Sequence, residues 1–381
     1  MARRDAERLK IGFQDPTRPP HRLSQIVARL ADRLRFDSYW FLDHFMGVVP
    51  PGMWSSDLTQ AARVIRSPDE FFDPFVSVGA IGARTKRVRL GISVTDTVRL
   101  HPAWIARAAL TLQHTTKGRF ILGIGAGERE NLEPYGLSAD RLASRCAESI
   151  AVMRLLWSSR DPVDFEGEFF TLRGASLALR PYLQRPPPIW IAAMGPRMLA
   201  ITGRYGDGWL PHWQSVERYR ASLQQIRAAA RDAGRDPAAI TPGLVLTCVV
   251  DGRHDECHAA LESPALKLAA LLHDSVAWRE AGGSHPLGEQ FRGIVDFVPT
   301  RVSPADVKAA MDKVPWDVLH TLYPHGTPEQ LADRVRGYED AGCRHVIFEN
   351  ITAVGKPSKA LSSFAALGKT ARILRRDRPA T

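Results

Sequence analysis

Cysteine is scarce in this chain: four residues in 381, Cys146, Cys248, Cys257 and Cys343, widely scattered. Such spacing matches neither a disulfide framework nor paired metal-ligand motifs, so free thiols and no structural zinc are expected. No run of about 18 uncharged apolar residues exists, and the opening MARRDAERLK lacks the apolar stretch of a signal peptide. A cytoplasmic protein without a transmembrane segment is the expectation. No internal repeat, low-complexity segment or Gly/Ser linker divides the sequence, so one domain is expected over 1–381. A basic face interleaved with aromatics is also missing. The net charge is +10, yet the basic residues are dispersed except at the tail, ILRRDRP. That distribution argues against nucleic acid and favours an anionic small ligand.

What is present is an ordinary soluble composition, 44% hydrophobic and 24% charged, carrying a regular alternation. Strand-type runs at 11–14, 38–42, 88–94, 120–125, 189–193, 208–210, 243–250 and 345–349 alternate with amphipathic helical runs. The clearest helices are predicted at 103–115, 141–157, 196–205, 216–234 and 328–341, the last opened by Thr327 as cap and Pro328 at the first helical position. Eight such units make a parallel (β/α)8 barrel the economical α/β fold. Two stretches break the rhythm, near 161–181, which alternates like a hairpin, and near 262–314. Insertions of this length on a barrel usually form lids or binding loops.

The segment Gly118 to Gly136, GRFILGIGAGERENLEPYG, runs a buried strand into glycines and then into charge. A dinucleotide fingerprint fails on spacing, because Glu128 or Glu130 stands where the third glycine belongs. Glycines at a strand exit let bare backbone approach a ligand, and the rim beyond the carboxyl ends of parallel strands is where barrel ligands bind. Glu128, Arg129, Glu130 and Asn131 are therefore candidates, with Gly127 between strand and charge; a tight turn with solvated acids is the alternative. Asp43 and His44 close the second strand, in YWFLDHF. Read alone, such a pair caps a loop more often than it catalyses, and neighbours in an extended chain face opposite ways unless the chain turns there. Ser93 and Val94 end the third strand at the same rim. The fifth strand runs through Met194 and Gly195 into a helix opening at Pro196, where free amides suit a phosphate, although an ordinary strand-to-helix turn would look the same.

These pieces in this order, with RYGDGW at Arg204 to Trp209, resemble the bacterial luciferase-like superfamily. GERENLEPYG, GPRMLAITGRYGDGWLP, HPLG at His285 to Gly288 and GTPEQLADRVRGYEDAGCRHVIFEN are most similar to its actinobacterial deazaflavin-dependent hydride transferases. The resemblance covers nearly the whole chain. It implies a luciferase-like (β/α)8 TIM barrel holding coenzyme F420, a deazaflavin bearing a phosphate and an oligoglutamate tail, in a cytoplasmic homodimer without a metal. By position it implies His44 and Glu128 as catalytic groups. Asp43, Ser93, Val94, Gly127 and Asn131 would line the deazaflavin, and Met194, Gly195 and Pro196 would cradle its phosphate. A cis peptide is implied between Ser93 and Val94.

The implied reaction is hydride transfer to a carbonyl, with His44 protonating the developing alkoxide. Departures from the sugar-phosphate branch of the family bear on substrate. Val48 stands where that branch carries tryptophan, and no cation is found in 212–214 or 320–321. Phe45, Met46, Val48, Val49, Met53 and Trp54 instead offer an apolar wall, or a buried loop cluster. A hydrophobic ketone, such as a lipid or polyketide intermediate, is the expected substrate. An FMNH2-dependent monooxygenase and a noncatalytic flavin- or partner-binding protein are the alternatives.

Overall fold

The computed structural model describes residues 8–15, 17–212 and 214–376. The start of MARRDAERLK and the end of the ILRRDRP tail lie outside the described residues. Eight parallel strands close on themselves: β1 Lys10–Asp15, β2 Ser38–Phe41, β3 Arg89–Ile92, β4 Phe120–Gly125, β5 Ile189–Ile191, β6 Gly208–Trp209, β7 Thr241–Val250 and β8 His345–Asn350. Val346 of β8 pairs with Ile11 of β1 on one side and Leu244 of β7 on the other, which closes the barrel. All six residues of β4 are buried. This is why the strands read as near-continuous apolar runs, since helices cover their outer faces and side chains fill the interior.

Those helices are α1 His21–Arg33, α2 Pro74–Gly82, α3 Pro102–Thr115, α4 Leu142–Ser158, α5 Pro196–Tyr205, α6 Val216–Asp232, α7 Pro328–Asp340 and α8 Ala360–Arg376. Thr327 caps α7 in a capping box with Gln330, as the sequence pattern predicts. Inside the barrel, Trp40, Ile121, Trp190, Leu210, Val245 and Ile347 form a separate buried cluster. The Trp40 and Trp190 rings lie 5.3 Å apart, and both pack against the buried His345. Gly91 makes room for this plug: a Cβ there would stand 2.2 Å from the Trp40 ring.

β3 ends at Ile92, short of the expected Val94, and the Ser93–Val94 peptide is cis. Thr95–Asp96 then rejoins the sheet beside β4. Between α4 and β5, Val163–Glu166 pairs antiparallel with Thr171–Ala175, the hairpin foreseen from its alternation. Between β7 and α7 the chain makes an excursion through helices His254–Leu261, Pro264–Ala270, Ser275–Glu280, Pro304–Asp312 and Trp316–Leu322, which contains the expected 262–314 insertion. The excursion has its own apolar cluster, including Leu266, Trp278, Phe297, Leu319 and Tyr323, against which Val48, Val49, Met53 and Trp54 pack. All four cysteines are buried and free, as expected. No helix among the described residues is long and apolar enough to cross a membrane.

Candidate active site

The carboxyl ends of β2 and β4 meet at the barrel mouth. The second strand stops at Phe41, and just beyond it the Asp43 and His44 side chains diverge. Asp43 turns to Arg99, which grips it with Nη1 3.2 Å from Oδ1 and Nη2 3.0 Å from Oδ2. Arg99 also holds Asp96 and lies 4.6 Å above the Phe45 ring. Burial raises the Asp43 carboxyl against the opposing charge of Arg99. With both oxygens engaged, Asp43 anchors the rim and Arg99 is its partner, a cation that no local motif flagged.

His44 turns to the loop after β4. Its Nδ1 lies 3.1 Å from the Asn131 Nδ2, 3.4 Å from Glu130 Oε1 and 3.8 Å from Glu128 Oε2. Asn131 is oriented by its other end, where Oδ1 accepts the Phe45 N–H at 2.8 Å, and Nδ2 also donates to Glu130 Oε1 at 3.0 Å. An amide held this way presents a donor to His44, so Nδ1 accepts and the neutral imidazole carries its proton on Nε2. Gly127, at φ +112°, turns the chain from β4 into this loop.

Glu130 is fully buried, and its Oε2 has no hydrogen-bond partner. Burial lifts both acids of the loop, Glu128 to about 8 with the adjacent Glu130 charge adding to the effect, and Glu130 to about 7. The pair therefore retains a proton near neutrality. His44, Glu128 and Glu130 bring one ligand atom each within 4.8 Å, a spacing a cation could use. Asn131 already occupies the only histidine nitrogen that faces the acids, and the hydrogen-bonded arrangement accounts for the geometry without a metal.

Both carboxyls bind protons more tightly in the folded chain than at their ordinary value of 4.5, so the unfolded state releases its proton first as pH rises. Stability should fall between about pH 4.5 and 8 on their account. Glu130→Gln, neutral throughout, should flatten that decline. Melting temperatures of wild type and variant near pH 5 and pH 9 would test this, and parallel curves would reject it.

A second polar cluster faces the first across the mouth. Glu349, at the end of β8, takes hydrogen bonds from Thr247 of β7 and Gln14 of β1, and lies 3.0 Å from His212 Nε2 after β6. Burial opposes its ionisation, yet the His212 and Thr247 contacts hold the Glu349 carboxyl below the ordinary range. Glu128 lies within electrostatic reach of His212, and Glu349 of His44, so the two groups share one cavity. The buried Tyr323 hydroxyl and Gln14 Oε1 make no hydrogen bond.

Ser93 and Val94 form the turn beside the glycine run, and a Cβ on Gly125 would stand 2.9 Å from Val94. Met194 and Gly195 lead into α5, which Pro196 opens and no side chain caps. Open space surrounds Gly195, and Arg197 donates to Ser144 just behind it. The His285 motif lies elsewhere. Its Nε2 donates to the Leu271 carbonyl at 3.1 Å and its ring packs on Trp278, bracing the excursion. Of the apolar loop, Val48, Val49, Met53 and Trp54 join the excursion's cluster, while Phe45 meets Tyr135 edge to face with ring centroids 4.7 Å apart.

A model of the luciferase-like monooxygenase family matches residues 12–345. A phthiodiolone/phenolphthiodiolone dimycocerosates ketoreductase of Mycobacterium kansasii is 39% identical over 358 residues, covering 93% of this chain and 96% of its own. An F420-dependent glucose-6-phosphate dehydrogenase of Rhodococcus erythropolis is 31% identical over 356 residues, covering 90% and 92%. Among solved structures, an F420-dependent secondary alcohol dehydrogenase with an F420-acetone adduct superposes at TM-score 0.72 and 22% identity, covering 95% of this chain and 99% of that one. With the strand-end site, the closed barrel and this match agreeing along the chain, the protein belongs to the luciferase-like monooxygenase family.

Proposed function

We propose that the protein is a coenzyme F420-dependent oxidoreductase that reduces the carbonyl of a hydrophobic ketone. The observation that carries the reading is a histidine with its Nδ1 held as an acceptor, set at a barrel mouth among two proton-retaining acids. The residues present fit the coenzyme. The uncapped start of α5 at Gly195 suits a phosphate, and the orphaned polar atoms of Gln14, Glu130 and Tyr323 suit a heterocycle rich in donors and acceptors. When bound, the reduced deazaflavin supplies hydride, and a carbon at the position of flavin N5 disfavours oxygen chemistry.

His44 then has one task, to present the Nε2 proton to the oxygen of the carbonyl being reduced. Asn131 keeps that proton on Nε2. Glu128 and Glu130 retain a proton nearby that passes to Nδ1 as Nε2 gives its own up, so the imidazole ends neutral and the negative charge comes to rest on the acid pair. Ser93, Val94 and Gly127 form the wall on the β3–β4 side, and Asp43 with Arg99 fixes the loop carrying His44. Relatives named as ketoreductases at 38–39% identity support a ketone substrate, and the apolar loop with the excursion over it supports a long hydrocarbon. Among homologous ketones, each added methylene should raise kcat/KM by about fourfold at most until the apolar space is filled. A flat series would reject the apolar wall as a substrate contact.

Side-by-side fluorescence titration with coenzyme F420 and flavin mononucleotide tests the cofactor. Tight binding of the deazaflavin alone is expected. Preference for flavin mononucleotide would replace this reading with a monooxygenase, and failure of both would replace it with a noncatalytic role. Assembly as a cytoplasmic homodimer belongs to the same proposal, and sedimentation would measure the assembly.

A further inference from the structure

Four imidazoles converge within the excursion, on elements that carry none of the residues of the His44 loop. His254 and His258 lie one turn apart on helix His254–Leu261, His320 ends helix Trp316–Leu322, and His325 starts the short strand beside β7. Ring centroids are 4.4 Å apart for His254 and His258, 4.6 Å for His258 and His320, and 4.4 Å for His320 and His325. Ligand nitrogens of His254, His258 and His325 all lie within 4.8 Å of one another.

The hydrogen bonds around the cluster fix which nitrogens are free. His325 Nδ1 lies 2.8 Å from the Tyr323 carbonyl, which can only accept, so Nδ1 carries the proton and Nε2 the lone pair. His254 Nδ1 lies 2.8 Å from Gln330 Oε1. That oxygen is identified by the capping box, where it accepts the Thr327 N–H at 2.9 Å, so His254 also donates through Nδ1 and exposes Nε2. The Nε2 atoms of His258 and His320 are buried without a partner. His254 and His325, each oriented through Nδ1 by a side-chain or peptide carbonyl with Nε2 left to accept, have the supporting arrangement found around bound metals.

We infer that His254, His258, His320 and His325 form a binding site for a first-row divalent cation of the zinc type. Burial lowers His320 and His325, the latter to about 4, with the neighbouring imidazoles adding to the effect. All-histidine donors select borderline metals such as zinc, cobalt, nickel or copper over magnesium or calcium. A tetrahedral site with bonds of about 2.1 Å needs nitrogens about 3.4 Å apart, so the His254, His258 and His325 nitrogens must close by up to about 1.4 Å and His320, whose ring abuts His258 and His325, must swing in as the fourth donor. Asp317 and Glu262 lie close enough to His320 to offset the added charge.

The ion would tie the first helix of the excursion to its last, and hold the segment carrying Tyr323, whose hydroxyl lies buried near Glu349. The expectation of no structural zinc rested on cysteine spacing, which excludes a thiolate site and says nothing of histidine.

The test uses untagged full-length protein, stripped with a chelator and titrated with cobalt(II). One equivalent should bind with the intense visible absorption of a tetrahedral site, be displaced by zinc, and raise the melting temperature. His44→Ala should leave the band unchanged, which separates this site from the barrel mouth. His258→Gln/His325→Gln should abolish it. Gln330→Ala, a milder change that keeps all four imidazoles, should weaken binding about ten- to hundredfold. Absence of binding, a weak octahedral spectrum, or equal binding by the double variant would overturn the inference. If the double variant fails to fold, an unweakened Gln330→Ala would overturn it.

Discussion

His44→Ala is expected to lower kcat by about a hundred- to ten-thousandfold while deazaflavin affinity changes little. The reasoning is geometric. Asn131 holds Nδ1 as an acceptor, so the proton available for transfer is on Nε2. Asn131→Ala should give a smaller loss, because the ring remains but its tautomer is no longer fixed and Glu130 at 3.4 Å can draw the proton to Nδ1. Single-turnover oxidation of the reduced coenzyme by a ketone measures both. A His44→Ala rate within threefold of wild type, with the coenzyme bound, would remove the histidine from proton transfer.

The largest structural effect should come from Arg99→Ala. Arg99 is 5% exposed and bonds Asp43 and Asp96, which are 11% and 5% exposed. Removing the cation leaves two buried carboxylates without their counter-charge, a loss on the order of 3–5 kcal/mol when one partner of a buried pair is deleted. The effect should reach the site, because Phe45 beneath Arg99 gives its N–H to Asn131. Denaturant unfolding at neutral pH would show a lowered midpoint with the slope unchanged. A shift worth less than about 1 kcal/mol would mean that water replaces the guanidinium, and the anchoring role would fall.

The barrel was legible because its strands are buried on both faces and its helices carry punctuation at their ends. β4 matches its expected span, and Pro196 and Thr327 begin their helices where the pattern placed them. Ends were less legible where the chain leaves the sheet without a glycine or proline, as at Ile92. The loop after β4 announced itself by composition, yet the resemblance singled out Glu128 and gave no role to Glu130, the more deeply buried of the two. Arg99 looked like one of 51 dispersed cations, and only closure of the sheet sets it against Asp43. Gln14, His212, Thr247 and Glu349 come from or just after four separate strands, so no window of sequence contains their cluster. A polar residue near the end of an apolar strand, as in VIFEN, was the one signal available.

The tryptophan plug has a kinetic consequence. With Trp40, Trp190 and His345 filling the lower barrel, the described residues leave no rear exit, and whatever reacts at the mouth must come and go through one doorway. Two ligands sharing a doorway queue: the one seated deeper arrives first and departs last. Such a vestibule imposes an order on traffic that the chemistry alone would leave free.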